Sequence, residues 1–258
     1  MRLATWNVNS LGARLPRVEQ WLAEMEPDVL VVQETKLADG AFPHLAFKAL
    51  GYDTVHHGQG QWNGVAIASR VGLDDVVAGF GDGDEEDPEA RLLWATCGGV
   101  RVASMYVPNG RSLDDPHYRY KLDWLARLGA LLDRRRPADP PVALCGDYNI
   151  APDDRDVWDT GSFVGSTHVS GPEREAFRSL CERGLVDVLR AHYPQDGIYT
   201  YWDYRGGNFH KKMGMRIDHI LASASLAERC SFVFVDRNAR KGTKPSDHTV
   251  LMATFDQG

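Results

Sequence analysis

The stretch Val29-Leu30-Val31-Val32-Gln33-Glu34-Thr35-Lys36 decides the fold. Its aliphatic run reads as a buried strand, bounded by polar residues at a length a strand can use. The run ends on Glu34, and a carboxylate at the end of a buried strand is costly unless it is paired or binds a metal. The same pattern recurs along the chain. Pro141-Val142-Ala143-Leu144-Cys145-Gly146 runs into Asp147-Tyr148-Asn149, Arg2–Trp6 runs into Asn7-Val8-Asn9, and Val100–Tyr106 runs into Val107-Pro108-Asn109-Gly110-Arg111. Strand ends are where an α/β or sandwich enzyme collects its reactive side chains.

Working outward, further strands are expected at Asp53–His57, Val65–Ser69, Leu92–Thr96, Ile217–Leu221, Phe232–Val235 and Val250–Phe255. Helical spacing appears at Leu15–Met25, with Pro16 suited to a first turn, at Tyr118–Leu132, and at Arg174–Glu182 ending near Gly184. Many strands with a few interposed helices predict two sheets packed face to face with helices outside. The Pro-rich connection Arg134–Pro141 is too short for a domain boundary, so residues 1–258 are expected to form one domain. The glycines between His57 and Gly64 have the wrong spacing for a nucleotide-binding loop, and a strand follows where a helix should; they read as a hairpin turn.

The hydrophobic share of 43% and charged share of 25% suit a core that needs no staple. The cysteines Cys97, Cys145, Cys181 and Cys230 form no CxxC pair, which disfavours a zinc knuckle or redox motif and suits a reducing cytosol. No basic segment followed by an apolar stretch opens the chain, and no apolar run approaches the ~20 residues of a membrane span. A cytoplasmic, monomeric protein is expected. The net charge of −7 argues at first against a nucleic acid. Distribution counts for more than the sum. Arg205, Lys211, Lys212 and Arg216 form one acid-free stretch, and Arg237, Arg240, Lys241 and Lys244 another, so a polyanion can be bound locally.

Each strand-end motif has its own chemistry. Glu34 is an oxygen ligand suited to Mg²⁺ or Mn²⁺, or else the partner of Lys36. Asn7 can offer a metal an oxygen or a phosphate a donor. Asp147 and Asn149 are two apart, so on an extended segment they face the same way. A base that orients water would then lie beside an amide that holds a phosphoryl oxygen. His248 follows Asp247, and Asp218 on another segment is a candidate to fix its ring. Tyr106 offers a hydroxyl, while Asn109 and Arg111 are within reach of phosphates. Tyr199-Thr200-Tyr201-Trp202-Asp203-Tyr204-Arg205 places aromatics among polar residues, which suits an unstacked nucleotide as well as a core. No Gly-x-Ser-x-Gly motif is present, which disfavours a serine hydrolase.

Taken in order, Thr5-Trp6-Asn7-Val8-Asn9, Gln33-Glu34-Thr35-Lys36, Tyr106-Val107-Pro108-Asn109-Gly110, Gly146-Asp147-Tyr148-Asn149, Tyr201-Trp202-Asp203-Tyr204-Arg205, Arg216-Ile217-Asp218 and Ser246-Asp247-His248 resemble the exonuclease III family of the endonuclease/exonuclease/phosphatase superfamily. The matches cover almost the whole chain. The resemblance implies a DNase I-like fold, a four-layered α/β sandwich of two mixed sheets flanked by helices. It also implies a Mg²⁺-dependent DNA repair nuclease, with Mn²⁺ as a substitute. Such an enzyme cleaves duplex DNA 5′ to abasic sites and acts as a 3′-5′ exonuclease or 3′-phosphodiesterase on damaged ends. Carried over, Glu34, Asn7 and Asp247 would serve the metal, Asp147 the attacking water, and Asn149, Tyr106 and His248 the phosphate, with Asp218 orienting His248. Asn109, Arg111, Tyr201, Arg205, Lys211, Lys212 and Met215 would meet DNA, Tyr201 and Met215 as walls for the abasic sugar. Whether Asp147 or His248 is the base, and whether one metal or two bind, stay open at this stage. Two other classes compete: a superfamily phosphodiesterase for lipid or inositol phosphates, and an inactive DNA-binding module. The basic loops weigh against the first and the complete Glu34–Asp147–His248 set against the second.

Overall fold

The computed structural model describes residues 1–136 and 139–256. Twelve strands and seven helices are seen among them. In chain order they are β1 (Arg2–Asn7), α1 (Leu11–Met25), β2 (Val29–Gln33), α2 (His44–Ala49), β3 (Asp53–His57), β4 (Val65–Ser69), β5 (Asp74–Ala78), β6 (Leu92–Cys97), β7 (Val100–Tyr106), α3 (Pro116–Asp133), β8 (Val142–Asp147), α4 (Gly171–Glu182), β9 (Leu185–Asp187), α5 (Val188–His192), α6 (Asn208–Lys211), β10 (Asp218–Ser223), α7 (Ala224–Ala227), β11 (Cys230–Asp236) and β12 (Val250–Phe255). One sheet runs β11-β12-β1-β2-β4-β3 and the other β5-β6-β7-β8-β10-β9. Each is mixed: β1 pairs parallel with β2, and β7 parallel with β8, while the other pairings are antiparallel.

Strand periodicity assigns side chains to layers. Leu3, Val29, Val31, Val65 and Ile67 of the first sheet meet Leu93, Ala95, Val102, Ala143, Cys145 and Ile220 of the second in a central core. Their neighbours point outward. Ala4, Trp6, Leu30, Val32 and Ala66 pack against Leu11, Val18, Trp21 and Leu22 of α1. Leu92, Trp94, Met105 and Leu144 pack against Trp124, Leu125 and Leu128 of α3 and Phe177 and Leu180 of α4. The result is the four-layered α/β/β/α sandwich that the strand and helix pattern and the family resemblance imply, with the run at Val29 fully buried because it is covered on both faces.

The differences are local. The first helix starts at Leu11, four residues early, so Pro16 sits in its second turn. The early start is possible because the carbonyls of Glu34 and Thr35 accept from the amides of Ser10 and Leu11 (2.7 and 3.0 Å) and satisfy donors that a side-chain cap would otherwise take. The third begins at Pro116 behind an Asp115 cap, and the fourth at Gly171 behind a Ser170–Glu173 capping box. Strands β5 and β9 escape the sequence reading because they are edge strands, the first mostly exposed and the second three residues long. The segment from His57 to Gly64 does join antiparallel β3 and β4. Residues 137–138 of the Arg134–Pro141 connection lie outside the described residues.

Candidate active site

The two parallel pairs deliver strand ends to one edge of the sandwich. In the first sheet Asn7 pairs with Gln33, so Glu34 follows directly beside it. In the second Tyr106 pairs with Asp147, and Asp147 with Asp218, which sets three functional side chains in a row across β7, β8 and β10. The close approach at β8 needs Gly146: a Cβ there would lie 1.9 Å from the carbonyl oxygen of Met105. Asn7 joins the sheets, its Nδ2 donating to Glu34 Oε1 and Asp147 Oδ2, both at 2.9 Å.

His248, from the loop before β12, completes the centre. Its Nδ1 meets Asp218 Oδ2 at 2.8 Å and its Nε2 faces Asp147 Oδ2 at 3.6 Å. Burial would depress its pKa, but Asp218 and Asp147 overcome that and hold it up at about 10, as an imidazolium near neutrality. Burial pushes Asp147 up to about 7, against the pull of His248. Burial also opposes ionisation of Glu34, but Lys36, Asn7 and His248 win and keep its carboxyl below the ordinary range. Tyr106 stays protonated because it is buried and faces the Glu34 carboxylate. Ligand atoms of Glu34, Asp147 and His248 lie within 4.8 Å of one another, and no other such trio of His, Cys, Asp or Glu is found among the described residues. Two carboxylates, one with its pKa held below the ordinary range, and no thiolate, fit a hard divalent cation. The Lys36 ammonium lies 3.0 Å from Glu34 Oε2.

These groups open onto a cavity of about 320 Å³, also lined by Asn109, Asn149, Phe163, Thr167, His168, Tyr201, Met215 and Asp247. Tyr201 and Met215 are paired through their backbones (2.9 Å each way), and the Tyr201 ring lies 4.9 Å from that of His248, beside the buried carboxylates.

Several expectations change. Asn7 presents its amide nitrogen to the two carboxylates while its oxygen accepts from the Asn9 amide at 3.0 Å, so it orients ligands where a metal oxygen was expected. Asp247 lines the cavity but stands outside the metal-competent trio, its Oδ1 accepting from Asn9 Nδ2 at 3.1 Å. Asp147 and Asn149 do converge, but by a turn and not by the pleat. The strand ends at Asp147, Asn149 has φ 50°, and its backbone amide donates to Asp147 Oδ1 at 2.8 Å. The Asn149 side chain is engaged at both ends, by the Val107 carbonyl at 2.9 Å and by His168 Nε2 at 3.0 Å.

Of the basic residues, Arg216 is buried and held by Asp156 (2.6 Å) and Asp187 (2.7 Å), and Arg240 is buried against Trp202 and Phe209. Neither is free to meet a polyanion. Arg205 is exposed but paired with Asp203 at 3.0 Å, and Arg111 is exposed and outside the cavity, 3.8 Å from Asp115. Lys211 and Lys212 are exposed and make no ion pair among the described residues. Sequence reasoning missed His168, Thr167 and Lys121 altogether. They sit in a loop or a helix with no neighbouring motif, and only the tertiary fold brings them to the site.

A profile of the Endonuclease/Exonuclease/phosphatase family matches residues 4–248. The chain is 33% identical to exodeoxyribonuclease III of Haemophilus influenzae, over 99% of this chain and all of that protein. The chain belongs to the endonuclease/exonuclease/phosphatase family, in its exonuclease III branch. Solved structures agree with this placement. An AP endonuclease from Archaeoglobus fulgidus superposes with a TM-score of 0.95 at 41% identity, and a 3′-5′ exonuclease from Neisseria meningitidis with 0.96 at 42%, each over the full length of both chains. The exonuclease III branch is a branch of hydrolases. Among the described residues no helix is long and apolar enough to cross a membrane.

Proposed function

We propose that this chain is a metal-dependent DNA repair nuclease. It hydrolyses the phosphodiester 5′ to an abasic site in duplex DNA and removes nucleotides or blocking groups from 3′ ends. The observation that carries the reading is the line Asp218–His248–Asp147, aimed with Glu34 into a cavity walled by Tyr201 and Met215. The names of the relatives support it: exodeoxyribonuclease III, an AP endonuclease, a 3′-5′ exonuclease, and a Neisseria 3′ phosphatase solved with a product DNA hairpin. The buried free thiols Cys97 and Cys145 suit a reducing, cytoplasmic compartment.

Glu34, with Asp147 beside it, would hold the cation, Mg²⁺ by preference and Mn²⁺ as substitute. When bound, that cation neutralises phosphate charge and stabilises the departing 3′-oxygen. Asp147 is the base. Asn149 N and Asn7 Nδ2 fix its two oxygens, and it takes a proton from the water whose oxygen attacks phosphorus. His248 is the donor to the phosphate, because Asp218 occupies Nδ1 and keeps the ring charged, leaving Nε2 to face the substrate space. Tyr106 adds a protonated hydroxyl at the same edge. The bond from phosphorus to the 3′-oxygen breaks, and that oxygen takes a proton from solvent water, giving a 3′-hydroxyl and a 5′-phosphate on the abasic side.

The test is incubation of the protein with a duplex bearing one abasic site, before and after removal of metal with EDTA. Nicking that requires Mg²⁺ or Mn²⁺ supports the reading. Full activity in excess chelator, or hydrolysis of inositol phosphates with none of DNA, overturns it.

A further inference from the structure

Behind the cavity lies an ion pair that the chemistry above does not use. Lys121 on α3 and Glu173 on α4 have side chains 0% exposed, and the ammonium bonds Glu173 Oε1 directly. Burying two charges incurs a desolvation penalty that the pair alone seldom recovers, so a wholly buried pair needs a reason beyond stability. The remaining hydrogen bonds of this pair supply one. Lys121 Nζ donates to the carbonyls of Asn149 (2.6 Å) and Asn109 (3.3 Å). Glu173 accepts from Thr167 Oγ1 at 2.8 Å and the His168 amide at 2.9 Å, and its other oxygen from Ser170 Oγ at 2.6 Å. Thr167 Oγ1 also reaches the Asn109 carbonyl at 2.8 Å.

Three cavity-lining segments therefore end on one buried charge pair: the turn after β7, the turn after β8, and the loop before α4. The side chains they present bond to each other, Asn109 Nδ2 to Asn149 Oδ1 at 3.2 Å and His168 Nε2 to the same oxygen at 3.0 Å. Asn149 is the residue whose backbone amide fixes Asp147, and it does so from a left-handed conformation, φ 50°, that the chain does not favour. Lys121 grips the carbonyl of that same residue.

We propose that the Lys121–Glu173 pair is a positioning device for the reaction: it fixes the Asp147–Asn149 turn from behind, so that the base meets its water in register. The inference rests on the nuclease reading above. Neither residue lines the cavity, so neither is a catalytic residue.

The experiment compares wild type with Lys121→Met, Glu173→Gln, the double variant and Thr167→Val on abasic duplex DNA. It records kcat and KM, DNA affinity in EDTA, and thermal unfolding. Supporting groups of this kind are typically worth about 10–100-fold in activity. The expected result is a kcat loss of that order in Lys121→Met, with KM and DNA affinity unchanged. Thr167→Val should show a smaller kcat loss, and the double variant should be no slower than its worse parent, since partners acting as a unit are not additive. A folded Lys121→Met protein with wild-type kcat overturns the proposal. So does one whose loss lies entirely in KM. Should Lys121→Met not fold, wild-type kcat in Thr167→Val overturns it equally. A wild type inert on this DNA removes the reaction itself, whereas an active wild type with unaffected variants removes only the positioning role.

Discussion

Replacing Asp218 with Asn tests the assignment of His248 as a charged phosphate donor. The imidazolium is held by Asp218 Oδ2 at 2.8 Å and, more weakly, by Asp147 Oδ2 at 3.6 Å. Lifting His248 from its ordinary 6.5 to about 10 corresponds to about 5 kcal/mol of preference for the charged form, at about 1.4 kcal/mol for each pKa unit. Asp218 is the nearer carboxylate and first among the groups that raise the pKa, so its neutralisation should remove the larger share. An amide at Asp218 also lets the ring take the wrong tautomer. Together these effects should lower kcat by about 10²–10⁴-fold at neutral pH, the range of a positioned proton-transfer group. The sign of the pH effect follows from the raised pKa. In the wild type the imidazolium persists until the pH climbs toward 10, so rate and fold stability that depend on it are present below 6.5 and lost on the alkaline side. In Asp218→Asn that loss should move to lower pH, and the acid limb, set by Asp147, should move down as well, since the Asp218 charge is one of the groups that raise the Asp147 pKa. The assay is single-turnover nicking of an abasic duplex from pH 5 to 10.5, with the Asp218→Asn/His248→Ala double variant beside it. The double variant should be little slower than His248→Ala alone. Multiplicative losses from the two changes, or an alkaline limb unmoved by Asp218→Asn, would refute the pairing.

Neutralising Lys211 and Lys212 should flatten the dependence of log affinity on log salt by roughly one unit of slope per lost phosphate contact, read by titrating DNA binding between low and moderate salt. An unchanged slope would mean that these lysines are only solvated. Arg216→Met leaves buried Asp156 and partly exposed Asp187 without the Arg216 guanidinium, and denaturant unfolding should show a loss of about 3–5 kcal/mol, the usual result of removing one partner of a buried pair. A loss below about 1 kcal/mol would mean that Arg190, which also bonds Asp156, suffices. One phosphodiesterase site should also serve 3′ ends: purified protein should act on recessed, blunt and blocked 3′ termini. The abasic-only reading wins if those ends survive at high enzyme while abasic DNA is nicked.

The layers were legible in the sequence because they follow from local patterns, and the residues gathered at the candidate site were named from strand-end motifs together with the family resemblance. A continuous apolar run such as Val29–Val32 has one reading in a mixed sheet, and a carboxylate at its end invites an explanation in charge or metal. Roles were harder to read than identities. Asn7 was read as offering an oxygen to a metal or a donor to a phosphate; its amide nitrogen instead donates to two carboxylates arriving from different sheets. Arg216 was counted with the basic loop, and nothing near it in sequence announces Asp156, 60 residues away, which buries it. The same holds for Lys121, which lies among helical residues and finds Glu173 52 residues later. Long-range polar pairing has no period, so a one-dimensional pattern cannot display it.

Backbone strain is the part of the site least visible in advance, and it explains why the strand ends converge at all. Asn9, Ser10, Glu34, Lys36, Asn149 and His168 all adopt positive φ, between 44° and 88°. None is glycine, and such conformations cost about 1–3 kcal/mol each unless the surroundings over-determine them. Here they do. Glu34 and Thr35 carbonyls cap α1, the Thr35 and Lys36 amides bond Gly64 and Asn63, and the Asn149 carbonyl is gripped by Lys121. A glycine at any of these positions would relieve the backbone, but most would then lose the side chain the site needs: the carboxylate of Glu34, the ammonium of Lys36, the amide of Asn149. The chain keeps the side chains and lets the sandwich enforce the turns. Pre-organisation at this site is thus a tertiary property, built from hydrogen bonds to the backbone of strand ends, and the short motifs are the residues that such turns hold in place.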